Sequence, residues 1–453
     1  LLDAPHADLR LVQAEHSAWR ECGLMNASLQ GATLNHSAWI ESTLRGATLS
    51  ESSWVDAQLS SSLLSHIIAH DVDFSTISVW SEVNLMSAQL LNCKLDGLDL
   101  SAHNLEEARL QRTSLTNTNL NNARLRKVII NEGNAVQASF HLADLAEATI
   151  SRCDWSGVDT QGANLRLAHF SQVTLNGAKM RQVDWTGGEG RDLIAEGIDL
   201  EGATLSGIHL RLNELSQANF SNSRLVQADL SHSALLGATF NGADMTGLQL
   251  EHGRLDGAQF INASGAGVVF DQASLNRAQF KGASFPDSSW SGAQLKGLTD
   301  ASKELLIQIA NFDIQLSPKE RADLEMVLEE YKAEREARLE AERLVRLEEL
   351  KEAVKSALPT MSLIEPAEFE MGSAEGTGYA DERPRHSVYL DYSLEVAQIQ
   401  LTQSLYEMVM GDNPSHFKEA KIPSGESAHD RPVEQLSWRD ALNFCNELSS
   451  LLD

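Results

Sequence analysis

The chain has 453 residues, 42% of them hydrophobic, and a formal net charge of −28. That is enough apolar material for roughly two or three domains, which excludes a wholly disordered chain. No run of about 18 apolar residues is present to cross a membrane. The four cysteines argue against a disulfide scaffold. The 36 Lys and Arg against 64 Asp and Glu argue against direct binding of nucleic acid, which needs a basic face.

The sequence opens inside a repeating pattern and shows no signal peptide, so we expect a fragment of a longer protein. The repeat has a period of five. One phase runs from Leu9 to Phe74, and an additional residue near Val79 shifts it. Every fifth position from Trp80 to Leu295 is then a large apolar residue, with a small residue, usually Ala, two places before it. The exceptions are Ala135, Thr160, Gly190, Ala195 and Gly265.

A period of five fits neither an α-helix, with 3.6 residues per turn, nor a strand, with a period of two. Each pentad is therefore predicted to form one side of a coil, with its large and small residues pointing inward. Four sides close a turn of about 20 residues, and successive turns stack at about 4.8 Å, the spacing of neighbouring strands. The sequence predicts about 14 such turns, and a solenoid of this kind needs covered ends.

This repeat resembles the pentapeptide-repeat family, whose motif is A-(D/N)-L-x-x. The resemblance implies a right-handed quadrilateral β-helix, mainly β, for a domain over residues 1–298. It implies little about function, because some members are acidic rods that mimic DNA and bind a topoisomerase, whereas many have no known activity. The closest matches to the motif are Ala7-Asp8-Leu9, Ala143-Asp144-Leu145, Ala163-Asn164-Leu165, Ala218-Asn219-Phe220 and Ala228-Asp229-Leu230.

The inward positions of the repeat account for most residues that could suggest a site. Cysteines at small inward positions are predicted to be buried structural thiols, and tryptophans at the centres are predicted to pack the core. The scattered histidines lack metal-ligand spacing, and residues 187–190 are predicted to form a loop or bulge, since no Lys-Ser/Thr follows as in a phosphate loop. These residues are Cys22, Cys93 and Cys153; Trp19, Trp39, Trp54, Trp80, Trp155, Trp185 and Trp290; His66, His70, His103 and His209; and Gly187-Gly188-Glu189-Gly190.

A charged helical segment is predicted over residues 299–356. A short amphipathic helix, Ser302–Phe312, could cover the end of the rod, and Ser317-Pro318-Lys319-Glu320 has the residues of a capping box at the start of a long helix. This helix continues without Gly or Pro to residue 356, a length of about 58 Å. Two alternatives remain open for it, a stiff spacer or a helix (residues 318–356) that pairs with a partner.

The last segment, residues 357–453, abandons the repeat. Its motifs are similar to those of the formylglycine-generating enzyme family, also called the sulfatase-modifying-factor domain. The resemblance implies the N-terminal part of an incomplete C-type-lectin-like α+β domain that would continue beyond Asp453. The motifs are Phe369-Glu370-Met371-Gly372-Ser373, Arg383-Pro384-Arg385-His386, Asn413-Pro414-Ser415-His416-Phe417 and Arg431-Pro432-Val433, followed by Trp438-Arg439-Asp440.

The resemblance also implies what an active relative would need, which is a copper-binding cysteine pair that oxidises a substrate Cys to formylglycine. Nothing here matches that pair, and Cys445, on a predicted helix from Trp438 to Leu452, is expected to be a buried core residue. Asp381, Glu382, Arg383 and Arg385 are expected to form the charged rim of a strand. We therefore predict no catalytic, cofactor-binding or metal-binding residue, with copper or calcium possible only if residues beyond Asp453 supply ligands.

The leading hypothesis is a non-catalytic scaffold or interaction protein, a rigid β-helical rod that presents a lectin-like binding domain to another protein. The alternatives are a formylglycine-generating oxidase, a DNA mimic that modulates a topoisomerase, and an adaptor of a contractile secretion system. Oligomerisation through the rod ends or the 318–356 helix is possible. We expect no direct nucleic-acid contact, no membrane span and a cytoplasmic location, with export by a specialised secretion system as the other possibility.

Overall fold

The structure is a computed structural model, and it describes residues 3–298, 300–372, 385–416, 427 and 430–453. The chain divides into two compact units, Leu1–Glu329 and Glu330–Asp453.

The first unit contains a β-solenoid with four sides to each turn. Parallel bridges join residues 20 apart on successive sides, as in Asp3↔Gly23, Asp8↔Ser28, Gln13↔Thr33 and the pair Ala18↔Ala38. They continue as far as residues 274 and 294, so the rod has about 14 turns, the number predicted by counting pentads in the sequence. The mainly β fold inferred from the period of five is confirmed.

Short strands mark two of the four sides, while the other sides are held by single bridges. One parallel sheet has the order β1-β2-β3-β5 and the other β11-β10-β9-β8-β7-β6-β4. The strands are β1 (Ala18–Arg20), β2 (Ala38–Ile40), β3 (Gln58–Ser60), β4 (Ile68–His70), β5 (Val79–Ser81), β6 (Gln89–Leu91), β7 (Arg109–Gln111), β8 (Ile129–Asn131), β9 (Thr149–Ser151), β10 (His169–Ser171) and β11 (Glu189–Arg191).

The phase shift seen in the sequence occurs in one enlarged turn. There Gln58 pairs with Val79, a step of 21 residues in place of 20. A 3-10 helix, Phe74–Thr76, takes up the additional residue, and the Asp73 carboxylate caps it by accepting from the Ser75 N–H. Phe74 is buried and packs its ring against Trp80 at 5.7 Å, so the core continues through the slip.

The interior of the rod is filled by the large and small residues of the pentads. Leu145 and Leu230 are fully buried, as are Ala143 and Ala228. Equivalent residues of successive turns lie directly above one another. The clearest column joins Phe220, Phe240, Phe260 and Phe280, whose rings stack at centroid distances of 4.9, 5.2 and 4.9 Å. This spacing shows that side-chain stacking follows the backbone stacking of the turns.

The corner after each side requires a left-handed backbone. Leu142 has φ of 56°, and Gly162, one turn on, has φ of 69°. A Cβ at position 162 would lie 2.8 Å from Leu142 Cδ2, because the leucine side chain leans over that glycine. The glycine therefore supplies both the left-handed conformation and the space that the neighbouring turn occupies.

The predicted loop or bulge at Gly187-Gly188-Glu189-Gly190 is wrong. Strand β11 continues the ladder there, with Phe170 opposite Gly190. The missing inward side chain is replaced by neighbours, since a Cβ on Gly190 would meet Leu193 Cδ1 and Leu210 Cδ2, each at 2.5 Å. Leu193 occupies a position that is usually small and Ala195 one that is usually large. The pentad after Gly190 has therefore exchanged its large and small residues, and Leu193 fills the space that Gly190 leaves.

Two helices follow the last turn, α1 (Lys303–Ile309) and α2 (Pro318–Ala357). Leu305 and Ile309 of α1 and Leu324 of α2 are buried in the same apolar core as the rod. Between the helices, Gln315 forms one more bridge with Gln294. The predicted cover of this end of the rod is thereby confirmed, with the start of α2 contributing to it.

Glu320 joins α2 to the last turn of the rod. Its Oε2 accepts from the Ser317 N–H (2.8 Å), which completes the predicted capping box, and its Oε1 accepts from the Gly297 N–H. Partial burial raises the pKa of Glu320, but the hydrogen bonds from Ser317, Gly297 and Leu298 outweigh it and hold the pKa below its usual value. The ionised carboxylate therefore stabilises this end of the solenoid.

Residues 331–349 of α2 are all exposed. Their apolar side chains, which include Leu339, Leu344 and Val345, are spread around the helix and form no continuous seam. This distribution favours a spacer over a coiled coil, although pairing with a partner stays a prediction. At its end α2 joins the core of the second unit, where Leu350 and Val354 pack.

The described residues of the second unit form two antiparallel two-stranded sheets and two further helices. Strand β12 (Met361–Ile364) pairs with β15 (Leu394–Ala397), and β13 (Ala367–Met371) pairs with β14 (His386–Leu390). Thr402 caps the N-terminus of helix α3 (Gln403–Met410). Helix α4 (Trp438–Leu452) has the predicted bounds, and Ser437 and Asp440 form a capping box at its N-terminus. Tyr406 of α3 stacks on Phe444 of α4 at 5.5 Å.

The inward assignment of the pentads can be tested by substitution. We expect Leu145→Ala to lower the free energy of unfolding by about 2–5 kcal/mol, because it leaves a cavity. Ala143→Leu should cost about 1–3 kcal/mol by overpacking. Thr149→Ala, at an exposed position of the same turn, should change the free energy of unfolding by less than about 0.5 kcal/mol. Urea denaturation that finds equal midpoints for wild type and both inward variants would contradict the assignment.

The role of Glu320 predicts an acid dependence of stability. Because its folded pKa is lowered, its contribution is complete above the pKa of an unfolded glutamate, about 4.3, and is lost as pH falls through the folded pKa. We therefore expect Glu320→Gln to lower the urea midpoint at pH 7. The difference in urea midpoint between wild type and this variant should become smaller below about pH 4. Glu325→Gln, an exposed control on the same helix, should show no such narrowing. A difference in urea midpoint between wild type and Glu320→Gln that does not change with pH would refute the stabilising role of the ionised Glu320 carboxylate.

Candidate interaction surface

The two sheets of the second unit expose an unusual amount of apolar side chain. We call the following set the hairpin surface: Leu363 and Ile364 on β12, Phe369 and Met371 on β13, Tyr389 on β14, and Leu394 and Val396 on β15. Each is at least 40% exposed, and Tyr389 reaches 69%. The strand register places Phe369 and Met371 on one face of the β13–β14 pair and Tyr389 on the other, so apolar side chains are exposed on both faces. Two-stranded sheets are only marginally stable without cover, and exposed apolar side chains in such sheets commonly mark interaction sites. This makes the hairpin surface the leading candidate for contact with another polypeptide.

Acidic side chains accompany the hairpin surface along the same strands and their connections. Glu365, Glu368, Glu370 and Glu395 are all exposed. Glu370 pairs with Arg385, where Arg385 Nε lies 3.3 Å from Glu370 Oε2, and it also accepts from the Ser387 hydroxyl at 2.6 Å. Glu368 and Glu370 share the Tyr389 face of the β13–β14 pair, and Arg385 is already paired with Glu370 on that face.

The charged motif predicted as a strand rim falls mostly outside the described residues. Asp381, Glu382 and Arg383 lie there, whereas Arg385 immediately precedes β14. Its ion pair with Glu370 on the neighbouring strand is consistent with a structural role.

The three cysteines of the rod are buried in separate turns, as predicted. Burial raises the pKa of Cys93 to about 11 and also raises the pKa of Cys153. Cys93 and Cys153 are 60 residues apart, which is three turns or about 14 Å along the rod. The Cys93 and Cys153 thiols are therefore protonated at neutral pH and lie too far apart to form a pair.

The prediction that Cys445 is buried is wrong, because the structure places it on the exposed side of α4. The core-facing side of that helix carries Phe444, Leu448 and Leu452, and Cys445 follows Phe444 by one residue, a rotation of about 100°. Cys445 is the only cysteine of the second unit.

The described residues contain no group of three or more His, Cys, Asp or Glu side chains placed to hold a metal ion. The stacking of turns does bring histidines together in pairs that sequence reasoning missed. His16 lies over His36 with ring centroids 4.6 Å apart, and His232 lies over His252 at 4.7 Å. Their separation of 20 residues was the signal that could have found them. Because the rings stack face to face, their nitrogens do not point toward a common metal ion.

Ion pairs between successive turns run along the rod. Arg112 and Arg152 flank Glu132 at 3.9 and 3.4 Å, and Arg181 lies beside Asp199 and Glu201. Each exposed pair contributes little stability, about 0–1 kcal/mol. Their main consequence is electrostatic, because they place basic side chains beside acidic ones on the surface of the rod.

None of the helices in the described part of the chain combines the length and apolar character that a membrane-spanning helix needs.

Profiles of known families match both units. The profile described as a pentapeptide repeat region matches residues 83–159, and the one described as a sulfatase-modifying factor enzyme 1-like domain matches residues 347–452. A third profile, pentapeptide repeats (8 copies), matches residues 27–65, 143–182, 196–231, 214–247, 223–260 and 254–292.

Individual relatives resemble parts of the chain. The chaperone protein LppX of Paenibacillus barcinonensis is 43% identical over 54 residues, which is 12% of this chain and only 16% of that protein. Among solved structures, HetL from the cyanobacterium Nostoc, a pentapeptide repeat protein involved in heterocyst differentiation regulation, is 25% identical. The match covers 44% of this chain and 90% of HetL, with a TM-score of 0.25.

Full-length QnrB1, a plasmid-mediated fluoroquinolone resistance protein, is 18% identical over 49% of this chain and 99% of its own, with a TM-score of 0.28. The repeat, the four-sided solenoid and the family profiles agree over the first unit, and a separate profile covers most of the second. The solenoid of this chain therefore matches pentapeptide-repeat profiles within residues 27–292, and residues 347–452 match the sulfatase-modifying factor enzyme 1-like domain.

Proposed function

We propose that this protein is a non-catalytic scaffold or interaction protein, in which the solenoid is a rigid structural element and the second unit binds another protein. The observation that carries the proposal is the hairpin surface, where Leu363, Phe369 and Tyr389 are 57%, 47% and 69% exposed. Exposure of large apolar side chains costs free energy in water, and burial against a partner recovers it.

The solenoid supports a structural role because its interior has no room for a ligand. Its interior is occupied by fully buried side chains such as Leu145 and Trp155, and its described surface holds side chains in regular columns. We also propose the functional division into a rod over residues 1–298, a helical connection over 299–356 and a binding region over 357–453. The free cysteines are compatible with a reducing, cytoplasmic location, which we propose as well.

A formylglycine-generating oxidase is the second candidate, and the family profile over residues 347–452 is the observation that favours it. Its chemistry would need a thiolate pair to hold copper. The buried rod thiols and the single exposed Cys445 do not form one, so catalysis by this candidate would require cysteines outside this sequence.

Two further candidates have less support. A DNA mimic needs a continuous acidic stripe, whereas the rod places Arg112, Arg152 and Arg181 among its carboxylates. An adaptor of a contractile secretion system rests on the association of both families with such machines, and no geometry in the described residues favours it.

The interaction proposal predicts position-specific crosslinking. A photoreactive benzoylphenylalanine in place of Tyr389 should crosslink to one polypeptide when the full chain is expressed in its native cells. The same probe in place of Leu212 on the rod, which is equally exposed at 69%, should not crosslink to that polypeptide. A probe in place of Met371, which lies on the same face of the sheet as Phe369, should also crosslink to that polypeptide. Adding Phe369→Asp to this second probe variant should reduce its crosslink at least about fivefold, the scale of a central apolar contact.

The crosslinked polypeptide should be identified by mass spectrometry, and circular dichroism should show that Phe369→Asp leaves the fold intact. Equal crosslinking of the same polypeptide from the Tyr389 and Leu212 probes would contradict the assignment of the hairpin surface. No crosslink from the Tyr389 probe would contradict the proposed interaction.

The same reasoning predicts that residues 1–453 have no oxidase activity. Incubation with Cu⁺, oxygen and a Cys-containing sulfatase-type peptide should leave the peptide mass unchanged. Because Cys445 is exposed, Cys445→Ser should alter neither the unfolding midpoint nor the binding of a partner. Aldehyde formation on the peptide, detected by mass spectrometry and lost in Cys445→Ser, would contradict the scaffold proposal and support the oxidase.

A further inference from the structure

A cleft lies where the two helices cover the end of the rod. It has a volume of about 210 Å³ and is enclosed by the segment after the last turn, by α1 and by the first turns of α2. Its apolar lining comes from Leu298, Leu306, Ile309, Leu316 and Leu324. A dry cavity of about 150 Å³ is large enough to bind benzene, so this cleft can accept a ring or a short alkyl chain.

Three carboxylates also line the cleft. Asp300 and Asp323 are exposed, and Glu320 is half-buried. Glu320 is held in place because its two oxygens accept from the Ser317 and Gly297 N–H groups, and those bonds favour its ionised form. Each carboxylate oxygen has a second acceptor site, so these contacts do not exhaust its capacity.

The described residues that line the cleft include no Lys or Arg. Arg321, on the same helix, directs its guanidinium to the Ile314 carbonyl oxygen at 3.4 Å and is absent from the lining. An apolar floor beside three carboxylates, with no basic side chain in the described lining, is complementary to an organic cation, since the apolar part of the ligand is buried while its charge stays near the mouth.

We propose that this cleft binds a small organic ammonium ion, an apolar group of about the size of a benzene ring joined to a protonated amine. The apolar group would lie against Leu306, Ile309 and Leu324, and the ammonium would donate to Asp323 and Glu320. The site belongs to the first unit and is independent of the hairpin surface. A ligand there would contact both the last turn of the rod and α2, and would stabilise the cover of the rod.

The test is calorimetric titration of the full chain with benzylammonium at pH 7 and 20 mM NaCl. Benzyl alcohol, which keeps the ring without the charge, should bind at least about threefold more weakly, the scale of one partly exposed charge interaction. Methylammonium, which keeps the charge without the ring, should bind at least about tenfold more weakly, because it loses most of the apolar burial.

Matched variants locate the site. Asp323→Asn should weaken benzylammonium at least about threefold, whereas Glu325→Gln, an exposed change of equal charge two residues away and outside the cleft, should leave the affinity unchanged. Val327→Phe, which places a ring in the cleft, should abolish the binding if the variant folds. No heat of binding up to about 20 mM benzylammonium, the weakest affinity that such a site would give, would overturn the proposal. Equal affinities of Asp323→Asn and Glu325→Gln would also overturn it.

Discussion

Every turn of the solenoid must fill an interior of the same narrow cross-section, and this packing constraint determines the rest of the first unit. The backbone supplies the spacing, since the Leu145 N–H donates to the Asn164 carbonyl one turn on (2.8 Å) and the Asp144 N–H donates to the Ala123 carbonyl one turn back (3.0 Å). Side chains must then match that spacing in volume. Where Gly190 lacks a side chain, Leu193 and Leu210 occupy the space, and the ladder is preserved.

The same constraint limits where function can reside. A filled interior leaves no room for a ligand, and side chains on the rod repeat in columns where charges of opposite sign meet across turns, as Glu132 does with Arg112 and Arg152. Departures from the repeat occur at its covered end, where α1 and α2 leave a cleft, and in the second unit, where apolar side chains remain exposed. These two irregular places carry the proposals made above.

The sequence predicted the features that depend on spacing along the chain. The period of five located the buried residues and the slip near Val79, the Ser317-Pro318-Lys319-Glu320 motif located the start of α2, and the predicted bounds of α4 agree with the structure. Features that depend on contacts between neighbouring turns or helices could not be predicted from local sequence patterns. Gly190 suggested a bulge because its replacement, Leu193, lies in another pentad, and the exposure of Cys445 depended on how α4 packs. The cleft depends on how two helices meet, which no local pattern specifies.

The central claim is that a turn of 20 residues is the unit of this structure, and insertion of whole and partial turns tests it most directly. Duplicating residues 143–162 should add one turn, preserve every inward position and leave the thermal unfolding midpoint of the rod unchanged or higher. Inserting a single Ser after Asn164 should turn the following inward residues outward and lower the midpoint by at least about 10 °C, the scale of several lost core contacts. Equal destabilisation by the two insertions would contradict the claim.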